Sequence, residues 1–240
     1  MPPKKKTFNH AARVAADDDD VRAFHRIAAE GSKDEMKRAL VKYAEKYGDD
    51  IIDAVDKEGR TAFMKAAETS HTPTMAVLLE AGAEIDGRDY NGNTALLIAA
   101  HRGYKSAVLW LLDKGADLKA SNYSGETALM KAGHHKVNLD GKSPISNRKK
   151  DTVEALLERG VSVDAVDRSG KTAEQLAEAT GHRSVAGIIR RERDARMLRE
   201  KARAATINDV VHSLTVGGVN RDVRMKPMRF KPPGNSSNTP

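Results

Sequence analysis

The 240-residue chain contains no cysteine, few aromatic residues and no long hydrophobic run. The absence of cysteine excludes disulfides and thiolate metal sites, and it favours a reducing compartment. Aromatic residues make up 4% and charged residues 31% of the chain, which suits a thin helical protein better than a compact globule. No apolar stretch approaches the length of a transmembrane helix, and the first residues lack the apolar core of a signal peptide. We therefore expect an intracellular protein without a membrane partner, in the cytoplasm or, as the alternative, in the nucleus.

An internal repeat of 33 residues dominates the rest of the sequence. Thr61, Thr94 and Thr127 are 33 residues apart, and each lies two residues after a glycine. A fourth copy follows 45 residues later at Thr172. A second series has the same spacings: Gly82, Gly115 and Gly160. Two independent landmarks with a period near 33 residues predict a solenoid of stacked repeats.

The repeat resembles the ankyrin repeat. Its clearest copy reads Asp89-Tyr-Asn-Gly-Asn-Thr94-Ala-Leu-Leu-Ile-Ala-Ala100 and continues to Gly115-Ala-Asp117. It departs from the family pattern at Ala95, where proline is usual, and at Leu97, where histidine is usual. Further copies span 56–86, 122–164 and 167–189, and a degenerate N-terminal copy spans 21–55. The resemblance implies an all-α solenoid of helix-turn-helix units with short β-turn tips, forming one domain over residues 21–189.

The residues of each copy have physical roles that agree with this resemblance. The glycine closes a tight turn that needs a positive φ, and the following threonine is placed to cap the first helix. Paired alanines such as Ala99 and Ala100 let helices approach, while leucine pairs fill the layer between repeats. No single repeat can bury its own apolar face, so the stack is the folding unit.

The third recognisable repeat is interrupted. Between Thr127 and the pair Leu156–Leu157 there are 12 residues more than in the complete copies, around residues 137–150. The charges of this segment are mostly basic. We predict a loop without secondary structure, which is either a tolerated insertion or a functional finger.

No residue pattern indicates catalysis, a cofactor or a metal. Gly170-Lys171-Thr172 and Gly141-Lys142-Ser143 look like the end of a phosphate-binding loop, but Ala165 and Lys136 replace the first glycine that such a loop needs. The adjacent pair His134–His135 does not face one side of a helix, and no carboxylate cluster joins it. We predict a non-enzyme without cofactors.

The resemblance also implies a binding surface, because the turn tips and first-helix ends of ankyrin stacks project to one concave side. The positions predicted to bind a protein partner are Arg60, Glu68, Tyr90, Asn91, Asn93, His101, Arg102, Tyr123, Glu126, His134, Arg168 and Lys171. Tyr90 and Tyr123 occupy the same offset in neighbouring repeats. These two aromatic side chains either contact the partner or pack on neighbouring turns.

The net charge of +7 belongs entirely to the C-terminal end. Residues 190–240 contain 12 Lys or Arg and 5 Asp or Glu, whereas residues 1–189 contain 29 of each. Any attraction to an acidic protein surface or to RNA therefore belongs to this extension. The predicted terminal segments are a disordered arm over 1–20, an Arg-rich helix over 190–205, a short amphipathic helix over 206–216 and a flexible, disordered basic tail over 217–240.

A second attachment is predicted within this extension. An apolar helical face at spacing i, i+3, i+4 and i+7 comprises Ile207, Val210, Val211 and Leu214. It is too short to fold alone, so it docks on the end of the solenoid or in a groove of a partner. The tail adds Arg224, Lys226, Arg229, Phe230 and Lys231. We expect a non-catalytic adaptor of unknown oligomeric state; the alternative is a structural subunit of a polyanionic assembly, such as a ribosome or a microtubule.

Overall fold

The structure, a computed structural model, describes residues 19–133 and 145–216, with side chains undescribed at 145–147 and 209–216. The α-helices of the described residues are α1 (Asp19–Glu30), α2 (Lys33–Tyr47), α3 (Ala62–Glu68), α4 (Thr72–Glu80), α5 (Ala95–Arg102), α6 (Lys105–Asp113), α7 (Ala128–Gly133), α8 (Ile145–Glu158), α9 (Ala173–Ala179) and α10 (Arg183–Val216). A short 3₁₀ helix, Gly48–Ile51, follows α2. These residues form isolated β-bridges but no strand. The predicted all-α fold is confirmed.

The helices form two layers within the unit Met1–Ala195. In the first layer α1, α3, α5, α7 and α9 contact one another in succession, and in the second layer α2, α4, α6 and α8 do the same. One hydrophobic core continues through these layers from Val21 to Ile189. Each helix pair therefore buries its apolar face against the next pair, as the predicted solenoid requires.

Helix α1 begins inside the segment that we assigned to a disordered arm. Asp19 and Asp20 form its first turn, where carboxylates interact favourably with the helix dipole. The Asp20 carboxylate also accepts hydrogen bonds from Lys46 Nζ at 2.6 Å and Tyr47 Oη at 3.0 Å. These contacts with α2 order two residues that the sequence pattern placed outside the fold.

Part of the insertion in the third repeat is helical, so the prediction of a loop over residues 137–150 is wrong at its C-terminal end. Helix α8 begins at Ile145, directly after Pro144. Residues 145–158 contain neither glycine nor proline, and nothing in this stretch interrupts a helix once it has begun. Residues 137–144 lie outside the described residues.

The C-terminal extension contains one helix where two segments were predicted. Helix α10 is continuous from Arg183 to Val216, with no break between residues 205 and 206. Ala204 and Ala205 precede Thr206 there, and none of them ends a helix. Residues 183–195 belong to the first unit, whereas the second unit is Arg196–Pro240, of which 196–216 are described. No helix among the described residues is both long and apolar enough to cross a membrane.

Candidate protein-binding face

Four turns of one geometry precede the first helices α3, α5, α7 and α9. In each turn an Asp or Asn side chain accepts hydrogen bonds from the backbone N–H groups two and four residues later. Asp89, for example, accepts from Asn91 at 2.9 Å and from Asn93 at 2.8 Å. The equivalent acceptors are Asp56, Asn122 and Asp167. This side chain stabilises the turn by hydrogen bonds to the backbone of the same turn, a role that the sequence pattern did not predict.

A threonine then begins each first helix. The hydroxyl groups of Thr61, Thr94 and Thr172 each accept a hydrogen bond at 3.4 Å from the backbone N–H three residues later. The predicted caps are confirmed at these three positions. At Thr127 the prediction is wrong, because its hydroxyl has no hydrogen-bond partner among the described residues.

Backbone hydrogen bonds join each turn to the next. Tyr90 N–H donates to Glu58 O at 3.1 Å, and Tyr123 N–H donates to Asn91 O at 3.0 Å. In the next turn, Arg168 N–H donates a hydrogen bond to Ser124 O at 2.9 Å. The turns are thus held at a regular spacing by main-chain contacts, which do not depend on the side chains that they display.

The two exposed residues after each Asp or Asn form a surface that we name the tip row. Its members are Lys57, Glu58, Tyr90, Asn91, Tyr123, Ser124, Arg168 and Ser169. Four of the predicted partner-binding residues belong to it: Tyr90, Asn91, Tyr123 and Arg168. Lys171 is exposed beside it.

Tyr90 and Tyr123 both pack on a neighbouring turn and remain half exposed. The Tyr90 ring lies so close to Gly59 that a β-carbon there would overlap it, and a β-carbon on Gly92 would lie 2.7 Å from Cδ1 of Tyr123. Nevertheless 49% of Tyr90 and 54% of Tyr123 remain accessible. The two predicted alternatives are therefore compatible, because one face of each ring packs while the rest is available.

Glu68 is the centre of a charge network on the first-helix side. It accepts two hydrogen bonds from Arg60 Nη1, at 3.0 and 3.1 Å, and a third from Arg102 of the next repeat. Lys65 lies 4.0 Å from the same carboxylate and pairs with Asp56 at 2.6 Å. Burial opposes ionisation of Glu68, yet the hydrogen bond from Arg102 and the charges of Arg60 and Arg102 hold its pKa below the ordinary value.

A second polar network links the following two repeats. Asn93 Nδ2 donates to Asp89 Oδ2 at 3.0 Å, and its own carbonyl accepts from Asn122 Nδ2 at 3.1 Å. Asn122 also donates to Glu126 at 2.8 Å, and Lys131 Nζ pairs with the same carboxylate oxygen of Glu126 at 2.7 Å. Asp89 is fully buried beneath these contacts, with Arg60 Nε at 3.8 Å.

These networks divide the predicted partner-binding residues into two groups. Arg60, Glu68, Asn93, Arg102 and Glu126 already hydrogen-bond within the chain. A partner that bound them would have to replace those contacts, at the cost of leaving charged groups unpaired. The tip row, in contrast, offers exposed side chains outside these two networks, among them Tyr123 and Arg168.

Two predicted positions remain. His101 is partly buried on the last turn of α5, and His134 lies outside the described residues. Within 19–133 and 145–216 no cluster of His, Asp and Glu has the arrangement of a metal site. Gly170, which resembled part of a phosphate-binding loop, closes the fourth turn with a φ of 75°.

The predicted second attachment is only partly described. Ile207 lies on α10 and is 53% exposed. Val210, Val211 and Leu214 belong to the same helix, but their side chains lie outside the described part of the chain. The predicted tail residues Arg224, Lys226, Arg229, Phe230 and Lys231 also lie outside it.

Comparison with known families matches the repeats directly. The family model for ankyrin repeats in many copies matches residues 63–112 and 99–139. These ranges begin at the second residue of α3 and include α4, α5, α6 and α7, with the turns that carry Tyr90 and Tyr123. No curated protein matches the chain. The match, together with the two-layer stack and its regular turns, supports the assignment of the matched repeats to the ankyrin-repeat family.

Proposed function

We propose that the chain is a non-catalytic adaptor that binds a protein partner across its tip row. Ankyrin repeats are general protein–protein interaction modules. The observation that carries the proposal is the pair of half-exposed tyrosines, Tyr90 and Tyr123, on turns joined by main-chain hydrogen bonds. Rigid aromatic side chains are frequent anchors in interfaces, because they bury much area and lose little conformational entropy.

The surroundings of the tyrosines support this assignment. Each ring is held against the glycine of the preceding turn, so the part offered to a partner is already ordered before binding. Asn91 and Ser124 follow the tyrosines and add uncharged hydrogen-bonding groups, and Arg168 adds a charge at the C-terminal end of the row. An apolar centre with polar neighbours is the usual anatomy of a protein interface.

The double variant Tyr90→Ser, Tyr123→Ser tests the proposal. The partner is first identified by affinity capture on the full chain with mass spectrometry, and its affinity for each variant is then measured by calorimetry. We expect the double variant to lose on the order of 2 kcal/mol of binding free energy, with an unchanged circular dichroism spectrum. Val41→Ser is the matched control, since Val41 is exposed on α2, away from the turns. An unchanged affinity of the double variant would restrict both tyrosines to packing.

The basic extension supports a second attachment, to an acidic protein surface or RNA. All of the excess positive charge lies in residues 190–240. Within the first unit, Arg190 and Arg193 pair with Glu174 and therefore stabilise the fold. The charge available to a polyanion accordingly lies further along the chain.

This charge distribution also favours the alternative function, a structural subunit of a polyanionic assembly. The two functions differ in the effect of truncation after residue 216. For an adaptor, truncation should remove only a salt-dependent part of the affinity, and the tyrosine variant should remove most of the rest. For a structural subunit, truncation should abolish binding while the tyrosine variant binds normally.

A further inference from the structure

Helix α8 differs from the equivalent helices of the two preceding repeats. It has 14 residues, whereas α4 and α6 have 9 each. The leucine pair at its end, Leu156–Leu157, is equivalent to Leu78–Leu79 and Leu111–Leu112. The additional residues are therefore 145–149 at its start. They extend the second layer of helices beyond the start of α6, where the other repeats have only a short connection.

A groove of about 480 Å³ lies between the starts of α6 and α8. Tyr104 and Leu109, both partly buried, supply its apolar surface. Lys105 and Arg148 line it and are exposed, and neither pairs with a carboxylate within residues 19–133 and 145–216. Asp151 is the acidic residue among the lining residues that the structure describes. The groove thus combines an apolar surface with two cations and one carboxylate, an excess of one positive charge.

A buried ammonium group adds to the positive charge of this region. Lys149 is 1% exposed, and its Nζ has no hydrogen-bond partner in the described part of the chain. Its side chain passes along Gly103, which also lines the groove; a β-carbon on Gly103 would lie 3.1 Å from Lys149 Cγ. Burial, with the nearby charges of Arg102 and Lys131, lowers the pKa of Lys149 to about 8.

The charge of Lys149 affects the groove from within the protein. With that pKa, most molecules carry the protonated amine at pH 7. A charge in the protein interior is screened less by salt than a charge at the surface. Arg102 is paired with Glu68, and Lys150 lies 3.9 Å from Glu154, whereas Lys149 has no such counter-ion among the described residues. An anion bound near Gly103 would therefore compensate a charge that the fold leaves unpaired.

We propose that this groove binds an acidic segment of a protein partner, with an apolar side chain against Tyr104 and Leu109 and a carboxylate between Lys105 and Arg148. We choose an acidic segment because its carboxylate complements the positive charges of Lys105 and Arg148. The groove lies beside Gly103, at the end of α5 opposite to its first residue, so it is separate from the tip row. The site does not depend on the function proposed for Tyr90 and Tyr123.

The test uses the full chain and a short fluorescein-labelled peptide in which leucines alternate with pairs of glutamates. Binding is measured by fluorescence anisotropy, with glutamine replacing every glutamate in the control peptide. We expect the glutamate peptide to bind at least about tenfold more tightly than the control, and Arg148→Glu to reduce its affinity by at least about tenfold. Lys105→Glu should act similarly, and an acidic residue at the start of α6 suits the helix dipole.

Arg26→Glu is the matched control, because it makes the same change of charge at an exposed position of α1, outside both the groove and the tip row. Equal losses in Arg148→Glu and Arg26→Glu would mean attraction by net charge alone and would overturn the proposal. Absence of glutamate-peptide binding, with Arg148-dependent binding of a labelled oligouridylate, would also overturn it and assign the groove to a nucleic acid.

The variant Lys149→Met gives an independent readout. Methionine keeps an apolar chain of similar length but removes the buried charge. We expect a higher thermal midpoint of unfolding together with a several-fold weaker affinity for the glutamate peptide. A residue with a purely structural role would instead lower the midpoint. Unchanged peptide affinity in this variant would show that the ammonium does not contribute to the site.

Discussion

Gly92→Ala should destabilise the protein more than the same substitution at Gly170, although both glycines close equivalent turns. Their φ angles are nearly equal, 77° at Gly92 and 75° at Gly170. An alanine in this left-handed region costs roughly 1–2 kcal/mol at either position. At Gly170 the added methyl group has no atom within 4 Å, so this conformational cost is the whole expected effect.

At Gly92 the methyl group would also collide with the next turn. Its carbon would lie 2.7 Å from Cδ1 and 2.8 Å from the backbone nitrogen of Tyr123. The ring can rotate away, but the nitrogen can move only if the turn moves, which weakens its hydrogen bond to Asn91 O. Overpacking costs about 1–3 kcal/mol. We therefore expect Gly92→Ala to lose about 1–3 kcal/mol more stability than Gly170→Ala.

Urea denaturation measures this difference. Far-ultraviolet circular dichroism follows the helices, and fluorescence of the single tryptophan, Trp110, follows α6 of the same repeat. Adding Tyr123→Ser to Gly92→Ala should restore the stability that is lost through the clash with the ring. The loss caused by the clash with the backbone nitrogen should remain. Equal destabilisation at Gly92 and Gly170 would refute the reasoning, since it would show that the turns are not packed against each other.

Two further predictions concern pH. The pKa of Lys149 is about 8 in the fold and near 10.5 when unfolded. The unfolded chain therefore binds the extra proton, and stability should rise from pH 7 to pH 10 by up to about 3 kcal/mol. In Lys149→Met this rise should disappear from urea titrations, and an unchanged rise would assign it to another group. The pKa of Glu68 is lowered, so its stabilisation is present above the unfolded value of 4.5 and is lost as pH falls. Glu68→Gln should lower the free energy of unfolding by about 1–3 kcal/mol at pH 7. It should also weaken the fall of stability at acid pH, whereas the exposed control Glu58→Gln should change neither quantity.

Much of the fold could be predicted from patterns among residues that are close together in the chain. The spacing of Thr61, Thr94 and Thr127 predicted the period. The helix caps predicted at Thr61, Thr94 and Thr172 are present, because a cap depends on residues only three positions apart. Two predictions based on such patterns were wrong. Thr127 follows the same sequence pattern, but its hydroxyl makes no hydrogen bond in the described structure. The helix that begins at Ile145 was missed because no repeat pattern extends through an insertion.

The candidate site was less predictable. The tip residues Tyr90 and Tyr123 could be identified from their equal offset, and their exposure is as expected for a binding surface. The hydrogen bond between Glu68 and Arg102 could not be predicted, because Arg102 is 34 residues away and belongs to the next repeat. The pair of Lys131 with Glu126, only five residues apart in one repeat, was also not predicted, because the sequence pattern does not show which side chains of a turn and its helix meet.

The sequence by itself determined the repeat, its turns and the order of its helices, because these depend on backbone conformation and on contacts between residues close in the chain. Only the tertiary structure decided which polar side chains are paired within the stack and which are exposed. Stacking places each repeat against the next at a distance set by main-chain hydrogen bonds, such as that from Tyr123 to Asn91. It also buries Lys149 on an extended α8. Such contacts join different repeats, and no periodic pattern within one repeat specifies them.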